Sequence, residues 1–255
     1  MSAHAGSKSN AQHKSGFDRG KDTIDAALTD RRWHEYDCDI QQVVNEFNRH
    51  LAGTAGFHSL DWRIIKAMIW TETCGPTNPA WRSNPMQIGN PGDPGLRALL
   101  FGNEGGDLVL PPDVRKRLIG TTIRGNPVMN MRAGVGYLLM RLAHYRIGTV
   151  QDPADSNVYT LEVRRGDTYA TLARANGTTV DTLKNLNRGA APLGQGQTLR
   201  YQKASTGKMI ASWDLPTSQR IAIRYNVGDA EYAAKLDYCM SVIRKSLSES
   251  AACAA

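Results

Sequence analysis

The sequence predicts a mainly α-helical protein with one small βααβ unit inside it. Apolar residues recur with the helical period of 3.6 in residues 40–51 and 62–72. Residues 131–145 are apolar on nearly every side, which is typical of a central helix. Residues 158–201 instead show a strand pattern, two short helical patterns and a second strand pattern. Because helical patterns flank this stretch, we expect a helical domain and a separate βααβ unit.

The N-terminal region predicts a tail followed by an amphipathic helix. Residues 1–22 are rich in Ser, Gly, Ala, Lys and His and have no apolar period, so we expect them to be disordered. The first part of the helical domain, residues 23–155, has its first clear helix from Asp39 to Leu51, and Asp37 and Asp39 supply the negative charge that favours a helix start. We expect this helix to pack on the next one.

The next helix carries Glu72, the acidic residue that we expect to perform chemistry. Three apolar residues share its face of the helix: Ile65, Met68 and Ile69. Asp61 can cap the start and Gly75 can end the helix, which places Glu72 in the last turn, where the helix dipole disfavours negative charge. Burial and the dipole both raise a carboxyl pKa, and glycosidic bond cleavage needs a protonated acid of this kind. The alternative is that Glu72 only marks where a core helix reaches the surface.

A loop rich in Gly, Pro and Asn follows the Glu72 helix, at residues 76–95. Within it, Met86 and Ile88 are apolar anchors on either side of Gln87. The Gln87 amide could hydrogen-bond a sugar hydroxyl or acetamide, and a purely structural turn is the alternative. Both interpretations stay open at this point.

The rest of the chain divides at two changes of pattern. Asn130 can cap a helix from Met131 to Tyr145, and Gly134 and Gly136 within it indicate close approach of another backbone. Residues 151–157 predict a polar linker. The βααβ domain then occupies residues 156–204, and the helical domain resumes at residues 205–250, where Asp229 caps a last amphipathic helix with Tyr232 on its apolar side.

Composition narrows the function classes. The excess of 31 Lys+Arg over 24 Asp+Glu gives a net charge of +7, which suits an anionic polymer such as nucleic acid or cell wall. Basic runs interleaved with aromatic residues are absent, which disfavours nucleic acid. The four cysteines form no C-x-x-C pair and no histidine lies in an H-E-x-x-H motif, so we expect buried free thiols, no metal and no cofactor.

The N-terminal sequence lacks the apolar core of a secretory signal, and no stretch has the length of a membrane span. We therefore expect a chain made in the cytoplasm, with export by a route other than general secretion if its substrate lies outside.

Residues 158–203 resemble a LysM module along their whole length. The matching positions are Tyr159, 163–168, 172–173, Val180, Leu183, 186–187 and 196–199. The LysM family binds the N-acetylglucosamine backbones of peptidoglycan or chitin through two loops, which correspond here to residues 166–169 and 187–190. The resemblance implies glycan binding by Asp167, Thr168, Tyr169, Asn187 and Arg188. For Gly166 and Asp167, a role in the turn alone is the alternative.

The flanking parts resemble soluble lytic transglycosylases, which have a lysozyme-like α fold. Four ordered motifs carry the resemblance: residues 62–72, 85–88, 130–139 and 225–228. The chain departs from the family pattern at Thr73, where a Ser is usual, and at Asn84 and Pro85, where Gly and Leu are usual. The resemblance implies a discontinuous lysozyme-like domain, with the LysM module inserted where relatives have a short connection.

The resemblance also implies a reaction. Glu72 would protonate the glycosidic oxygen between N-acetylmuramic acid and N-acetylglucosamine and then deprotonate the muramyl C6 hydroxyl, which closes a 1,6-anhydro ring. Residues that support Glu72 or bind substrate would be Thr73, Met86, Gln87, Ile88, Tyr137, Tyr225 and Asn226. A goose-type muramidase, with Asp93 or Asp107 as second carboxylate, is one alternative. A non-catalytic wall-binding protein is another.

The expected partners are peptidoglycan glycan strands. A wall-degrading enzyme without a signal peptide would be a phage lysin or virion component, or an effector that a contact-dependent apparatus such as type VI secretion injects into rival bacteria. We favour the effector, which would act in the target's periplasm and have a cognate immunity protein.

Overall fold

The computed structural model of the chain describes residues 16–188 and 192–246. The helices are α1 (Gly16–Asp25), α2 (Asp37–Leu51), α3 (Trp62–Thr73), α4 (Pro79–Ser83), α5 (Gly95–Phe101), α6 (Gly106–Val109), α7 (Pro112–Arg117), α8 (Gly120–Gly125), α9 (Pro127–Leu142), α10 (Tyr169–Ala175), α11 (Val180–Leu186), α12 (Ser218–Arg224) and α13 (Tyr232–Ser246). Two 3₁₀ helices, Ala26–Leu28 and Arg31–His34, join α1 to α2. The strands are β1 (Ala143–Gln151), β2 (Tyr159–Glu162), β3 (Thr198–Tyr201) and β4 (Ala204–Trp213).

The described chain forms two compact units, and the second interrupts the first. The first unit runs to Leu142 and resumes at Trp213, and the second is Ala143–Ser212. The predicted mainly α class therefore describes the first unit, while the second is mixed. The second unit is longer than the 156–204 that we expected, because strands β1 and β4 lie on either side of that range and pair with each other.

The first unit is built around α3 and α9. Side chains of α3 that face the core are fully buried, among them Ile65, Met68 and Ile69, as the periodicity predicted. Helix α9 is buried over almost its whole length. Helices α2, α12 and α13 pack around these two, so that α13, which is far from α3 in sequence, lies directly against it.

An unexpected ion pair is buried between α2 and α3. Lys66 is only 1% exposed, and its Nζ lies 2.5 Å from Asp37 Oδ1 and 2.8 Å from His34 Nδ1. Burial lowers the pKa of Lys66, and the Asp37 carboxylate opposes this effect. Asp37 therefore forms a buried ion pair in addition to starting α2. The helix begins at Asp37 and not at Asp39.

Part of the predicted disordered tail is helical. Helix α1 includes residues 16–22, while residues 1–15 lie outside the described residues. Lys21 Nζ lies 4.4 Å from the ring centroid of Phe17, and the Phe17 ring meets Tyr238 of α13 edge-on at 6.4 Å. Because α13 supplies this partner ring from a distant part of the sequence, the local composition alone could not reveal it.

Helix α9 is shorter at its C-terminus than the predicted helix. It ends at Leu142, and the following residues, including His144 and Arg146, belong to β1. Alternation of larger apolar side chains in this stretch, such as Tyr145 and Ile147, favours a strand. The predicted linker at residues 151–157 accordingly begins inside β1.

The second unit has its own small core. Strands β2 and β3 are antiparallel, with Tyr159 opposite Tyr201 and Leu161 opposite Leu199. Its buried core consists of Val163, which follows β2, Leu199 of β3, and three residues of α10 and α11: Leu172, Ala173 and Leu183. Strands β1 and β4 form a separate two-stranded sheet.

The cysteines differ from the expectation of buried free thiols. Cys239 is free and buried, Cys74 is free but exposed, and Cys38 is disulfide-bonded. Within residues 16–188 and 192–246, no helix combines the length and apolar character that crossing a membrane requires.

Candidate active site

Glu72 lies in the last turn of α3, as the sequence predicted. Asp61 Oδ1 accepts a hydrogen bond from the backbone N–H of Arg63 at 3.0 Å and caps the start of the helix. At the other end, Cys74 and Gly75 adopt positive φ angles of 52° and 104° and terminate it. A Cβ on Gly75 would lie 2.3 Å from the Trp33 ring, so this turn can hold only glycine.

Glu72 is half-buried, and two neighbours hold its carboxyl group. Tyr232 Oη donates a hydrogen bond of 2.7 Å to Glu72 Oε1, and the Asn226 side chain bonds to the same carboxyl group. Burial raises the pKa of Glu72 above its ordinary value, and it outweighs the two hydrogen bonds, which lower the pKa. Of the nearby charges, Asp229 raises and Lys235 lowers this pKa.

Tyr232 is the functional neighbour that the sequence reasoning missed. The sequence predicts only that it lies on the apolar side of the last helix, and it is 1% exposed. A buried tyrosine needs a partner for its hydroxyl group, and that requirement was the available signal. The partner could not be identified from a position 160 residues away in sequence.

The Gln87 loop is fixed to α9 by Asn130. The Asn130 side chain is fully buried, accepts a hydrogen bond from Met86 N at 2.8 Å and donates to Ile88 O at 3.1 Å. Asn130 is therefore not the cap that we predicted. Helix α9 begins at Pro127, and Asn126 Oδ1 accepts the hydrogen bond from Met129 N.

The two glycines of α9 leave space for side chains of other elements. The predicted close approach of another backbone is therefore wrong. A Cβ on Gly134 would lie 2.6 Å from Met86 Cβ, and one on Gly136 would lie 2.7 Å from Leu110 Cδ2. The absence of a side chain at Gly134 lets Met86 pack directly on the helix. This contact and the Asn130 hydrogen bonds set the position of the loop.

Gln87 itself has an unusual backbone. Its φ of 52° is in the left-handed region, which is uncommon for a residue other than glycine. Its side-chain Oε1 accepts a hydrogen bond of 2.8 Å from Asn90 Nδ2. Strained residues of this kind concentrate at binding sites and are held there by their surroundings.

These elements surround an open cleft with an empty volume of about 430 Å³. It is lined by Glu72, Met86, Gln87, Ile88, Asp93, Tyr137, Tyr225 and Asn226. Six of the seven residues predicted to support Glu72 or bind substrate thus lie together beside it. Tyr225 Oη donates to Met86 O at 2.8 Å, and the Tyr225 ring meets Tyr137 edge-on at 5.5 Å. Tyr225 therefore supports the loop rather than Glu72.

Thr73 and the two candidate second carboxylates have different surroundings. Thr73 is fully buried outside the cleft lining, where its hydroxyl donates to Ile69 O at 2.7 Å and accepts from Gly75 N at 3.2 Å. Asp107 is exposed and does not line the cleft. Asp93 lines it, but its two oxygens accept hydrogen bonds from Gly89 N at 2.9 Å and Gly95 N at 2.8 Å.

In the two loops of the second unit that we predict to bind glycan, several polar side chains form hydrogen bonds within the protein. Asp167 Oδ2 accepts from Arg164 N at 2.8 Å, and Thr168 caps α10. The Asn187 amide exchanges hydrogen bonds with the backbone of Arg200, at 2.7 and 2.9 Å, which ties the end of α11 to β3.

The remaining predicted residues of these loops are accessible. Tyr169 is half-buried and Arg188 is exposed. The rest of the second predicted loop, residues 189–190, lies outside the described residues. Over the described chain, no group of three or more His, Cys, Asp or Glu side chains is placed to hold a metal ion.

Comparison with known proteins identifies part of the chain. Residues 161–200 match the LysM domain family, which supports a peptidoglycan-binding module in the second unit. No match was found among curated proteins, and none among solved structures.

Proposed function

We propose that the chain is a peptidoglycan lytic transglycosylase with a lysozyme-like catalytic unit, directed to its substrate by the LysM module. It would cleave the β-1,4 bond between N-acetylmuramic acid and N-acetylglucosamine. Glu72 donates its proton to the glycosidic oxygen as the C1–O4 bond breaks. The Glu72 carboxylate then takes the proton of the muramyl C6 hydroxyl, and O6 bonds to C1 to give a 1,6-anhydro product. Glu72 ends protonated, and no water is consumed.

The observation that carries this proposal is the state of Glu72. Glu72 is half-buried at the wall of an open cleft, partial burial raises the pKa of its carboxyl group, and Tyr232 and Asn226 hold that group by hydrogen bonds. A carboxyl group with a raised pKa can donate a proton near neutral pH and accept one afterwards. One such group is sufficient for both steps of the proposed reaction.

Asp93 favours a second candidate, a muramidase that hydrolyses the same bond. An inverting hydrolase needs a second carboxylate to activate water, and Asp93 lines the same cleft as Glu72. Against this role, each Asp93 oxygen already accepts a backbone hydrogen bond, so the carboxylate is engaged in holding the loop. The transglycosylase is therefore the better supported of the two.

The chemical form of the released ends distinguishes the candidates. Purified sacculi are incubated with wild type, Glu72→Gln or Asp93→Asn, and the released muropeptides are analysed by mass spectrometry. We expect 1,6-anhydro ends from wild type and from Asp93→Asn, and none from Glu72→Gln. Borohydride-reducible muramyl ends that disappear in Asp93→Asn would establish the hydrolase. Sacculus binding with no release by wild type would identify a binding protein instead.

We also propose that the protein acts on the wall of a target bacterium as an antibacterial effector, with a cognate immunity protein that covers the cleft. This proposal is supported by the LysM match of the second unit and by the open cleft that Glu72 lines in the first. The test is to express the chain in the periplasm of a susceptible strain. Lysis by wild type but not by Glu72→Gln is expected, and rescue by a co-expressed neighbouring gene product would identify the immunity protein.

A further inference from the structure

Arg141 neighbours residues that line the cleft, although it is not itself part of the lining. It follows Tyr137 by one helical turn on α9, so the two side chains are neighbours on the same face. Arg141 Nε donates a hydrogen bond of 3.2 Å to the carbonyl of Arg224, the residue before Tyr225. Tyr137 and Tyr225 both line the cleft, so Arg141 is next to one lining residue on α9 and is bonded to the residue before the other.

The charge of Arg141 is less firmly paired than that of its neighbours. Its Nη1 is 3.6 Å from Glu104 Oε2, and these side chains are 37% and 47% exposed. By contrast, Arg224 donates to Asp214 at 2.9 and 3.1 Å, and Lys235 Nζ lies 2.7 Å from Asp229. A half-exposed pair at 3.6 Å is weak and can exchange its carboxylate for another.

The geometry leaves most of the Arg141 donors for a ligand. A guanidinium group has five N–H donors, and the backbone bond to Arg224 uses one while fixing the group in place. The fork of Nη1 and Nη2 matches a carboxylate, to which arginine binds through two parallel hydrogen bonds. Burial raises the pKa of the neighbouring Tyr137, and the Arg141 charge opposes this rise, which is consistent with Arg141 lying close to that phenol.

We infer that Arg141 is a specificity-determining residue that binds a carboxylate of the peptide stem on the muramyl residue. This inference rests on the proposed function and assigns to the same cleft a preference for stem-bearing over peptide-free glycan. Glu104 holds Arg141 when no substrate is bound, and the incoming stem carboxylate replaces it.

The test compares two substrates in wild type and three variants. One substrate is glycan that carries acidic peptide stems, and the other is the same glycan after an amidase has removed the stems. The kcat/KM for release of 1,6-anhydro ends is measured with wild type, Arg141→Gln, Arg141→Lys and Arg220→Gln. Arg220 is the matched control, because it is a half-exposed arginine of the same unit whose Nε is 3.7 Å from Asp214.

We expect Arg141→Gln to reduce kcat/KM on stem-bearing glycan about tenfold or more relative to its effect on stem-free glycan, as loss of a charged hydrogen-bonded pair predicts. Arg141→Lys keeps the charge and should lose less, and Arg220→Gln should match wild type on both substrates. Glu104→Gln removes the competing carboxylate and should lower the KM for stem-bearing glycan.

Two results distinguish a wrong inference about Arg141 from a wrong proposed function. If Arg141→Gln loses the same factor on both substrates, Arg141 only holds the Arg224 carbonyl, and the inference is wrong. If wild type cleaves neither substrate, the proposed function is wrong. Binding of a soluble muropeptide, with its stem carboxylates free or chemically amidated, then tests the inference alone. A preference for the free acids that Arg141→Gln does not reduce overturns it.

Discussion

Tyr232→Phe tests the electrostatics of the site most directly. The substitution removes one hydroxyl donor, 2.7 Å from Glu72 Oε1, and retains the buried ring. A hydrogen bond to a charged group contributes about 1.5–3 kcal/mol. This energy is a factor of about 10 to 150 in an equilibrium constant. Because the bond favours the carboxylate, its loss moves the ionisation of Glu72 toward the protonated acid by that factor, so the raised pKa of Glu72 rises further.

The pH dependence of the rate reports this change. In the proposed mechanism, activity falls on the alkaline side as Glu72 loses the proton that it must donate. We therefore expect the alkaline limb of kcat/KM to move to higher pH in Tyr232→Phe, measured from the release of 1,6-anhydro ends between about pH 4 and pH 10.

Tyr238→Phe is the matched control for this experiment. Tyr238 lies on the same helix and donates a bond of the same 2.7 Å length, but to Asp25, which does not line the cleft. Its removal should leave the alkaline limb in place. An alkaline limb that is identical in folded Tyr232→Phe and wild type would refute the reasoning.

Three further predictions concern stability. Burial raises the pKa of Glu72 in the folded state, so the folded chain binds more protons and loses stability as the pH rises from the unfolded pKa through the folded one. Glu72→Gln should therefore have a higher Tm than wild type at pH 7 and lose that advantage near pH 4. An advantage at pH 4 that disappears at pH 7 would contradict the raised pKa. Gly134→Ala should lower the unfolding free energy by about 1–3 kcal/mol in denaturant, since its Cβ would overlap a methionine, whereas Gly120→Ala, with open space around it, should not. Lys66→Met should cost about 3–5 kcal/mol by removing the cation beside a buried carboxylate, and adding Asp37→Asn should recover part of that loss. A double-variant loss equal to the sum of the Lys66→Met and Asp37→Asn losses would show that the charges do not interact.

The sequence predicted features that depend on local spacing. The two ends of helix α3 could be predicted because Asp61 and Gly75 act on the residues next to them, and its apolar face follows from the helical period. The second unit could be recognised because its strands, turns and helices lie within a short stretch that matches a known family. In each case the interactions that fix the structure join residues close together in the sequence.

Features that depend on distant partners were not predictable in the same way. Asn130 looked like a helix cap because asparagine favours that position, but its buried amide serves a loop more than 40 residues away. The pairing of Lys66 with Asp37 and of Tyr232 with Glu72 likewise joins separate elements. Sequence indicates that such polar groups need partners when buried, but only the packing of helices decides which partner is available.

The path of the chain determines when the cleft can exist during synthesis. Glu72 and the Gln87 loop emerge from the ribosome early, but Tyr225, Asn226 and Tyr232 follow the entire second unit. Domains generally fold as units in order of synthesis, and the second unit has its own core, so it can fold first. The Asp214 N–H bonds the Leu142 carbonyl at 2.8 Å, so the exit and return points adjoin and α12 and α13 can complete the first unit afterwards. A nascent chain that stops before residue 225 therefore contains the complete second unit but lacks Tyr225 and Asn226 of the cleft lining and Tyr232, the hydrogen-bond donor to Glu72.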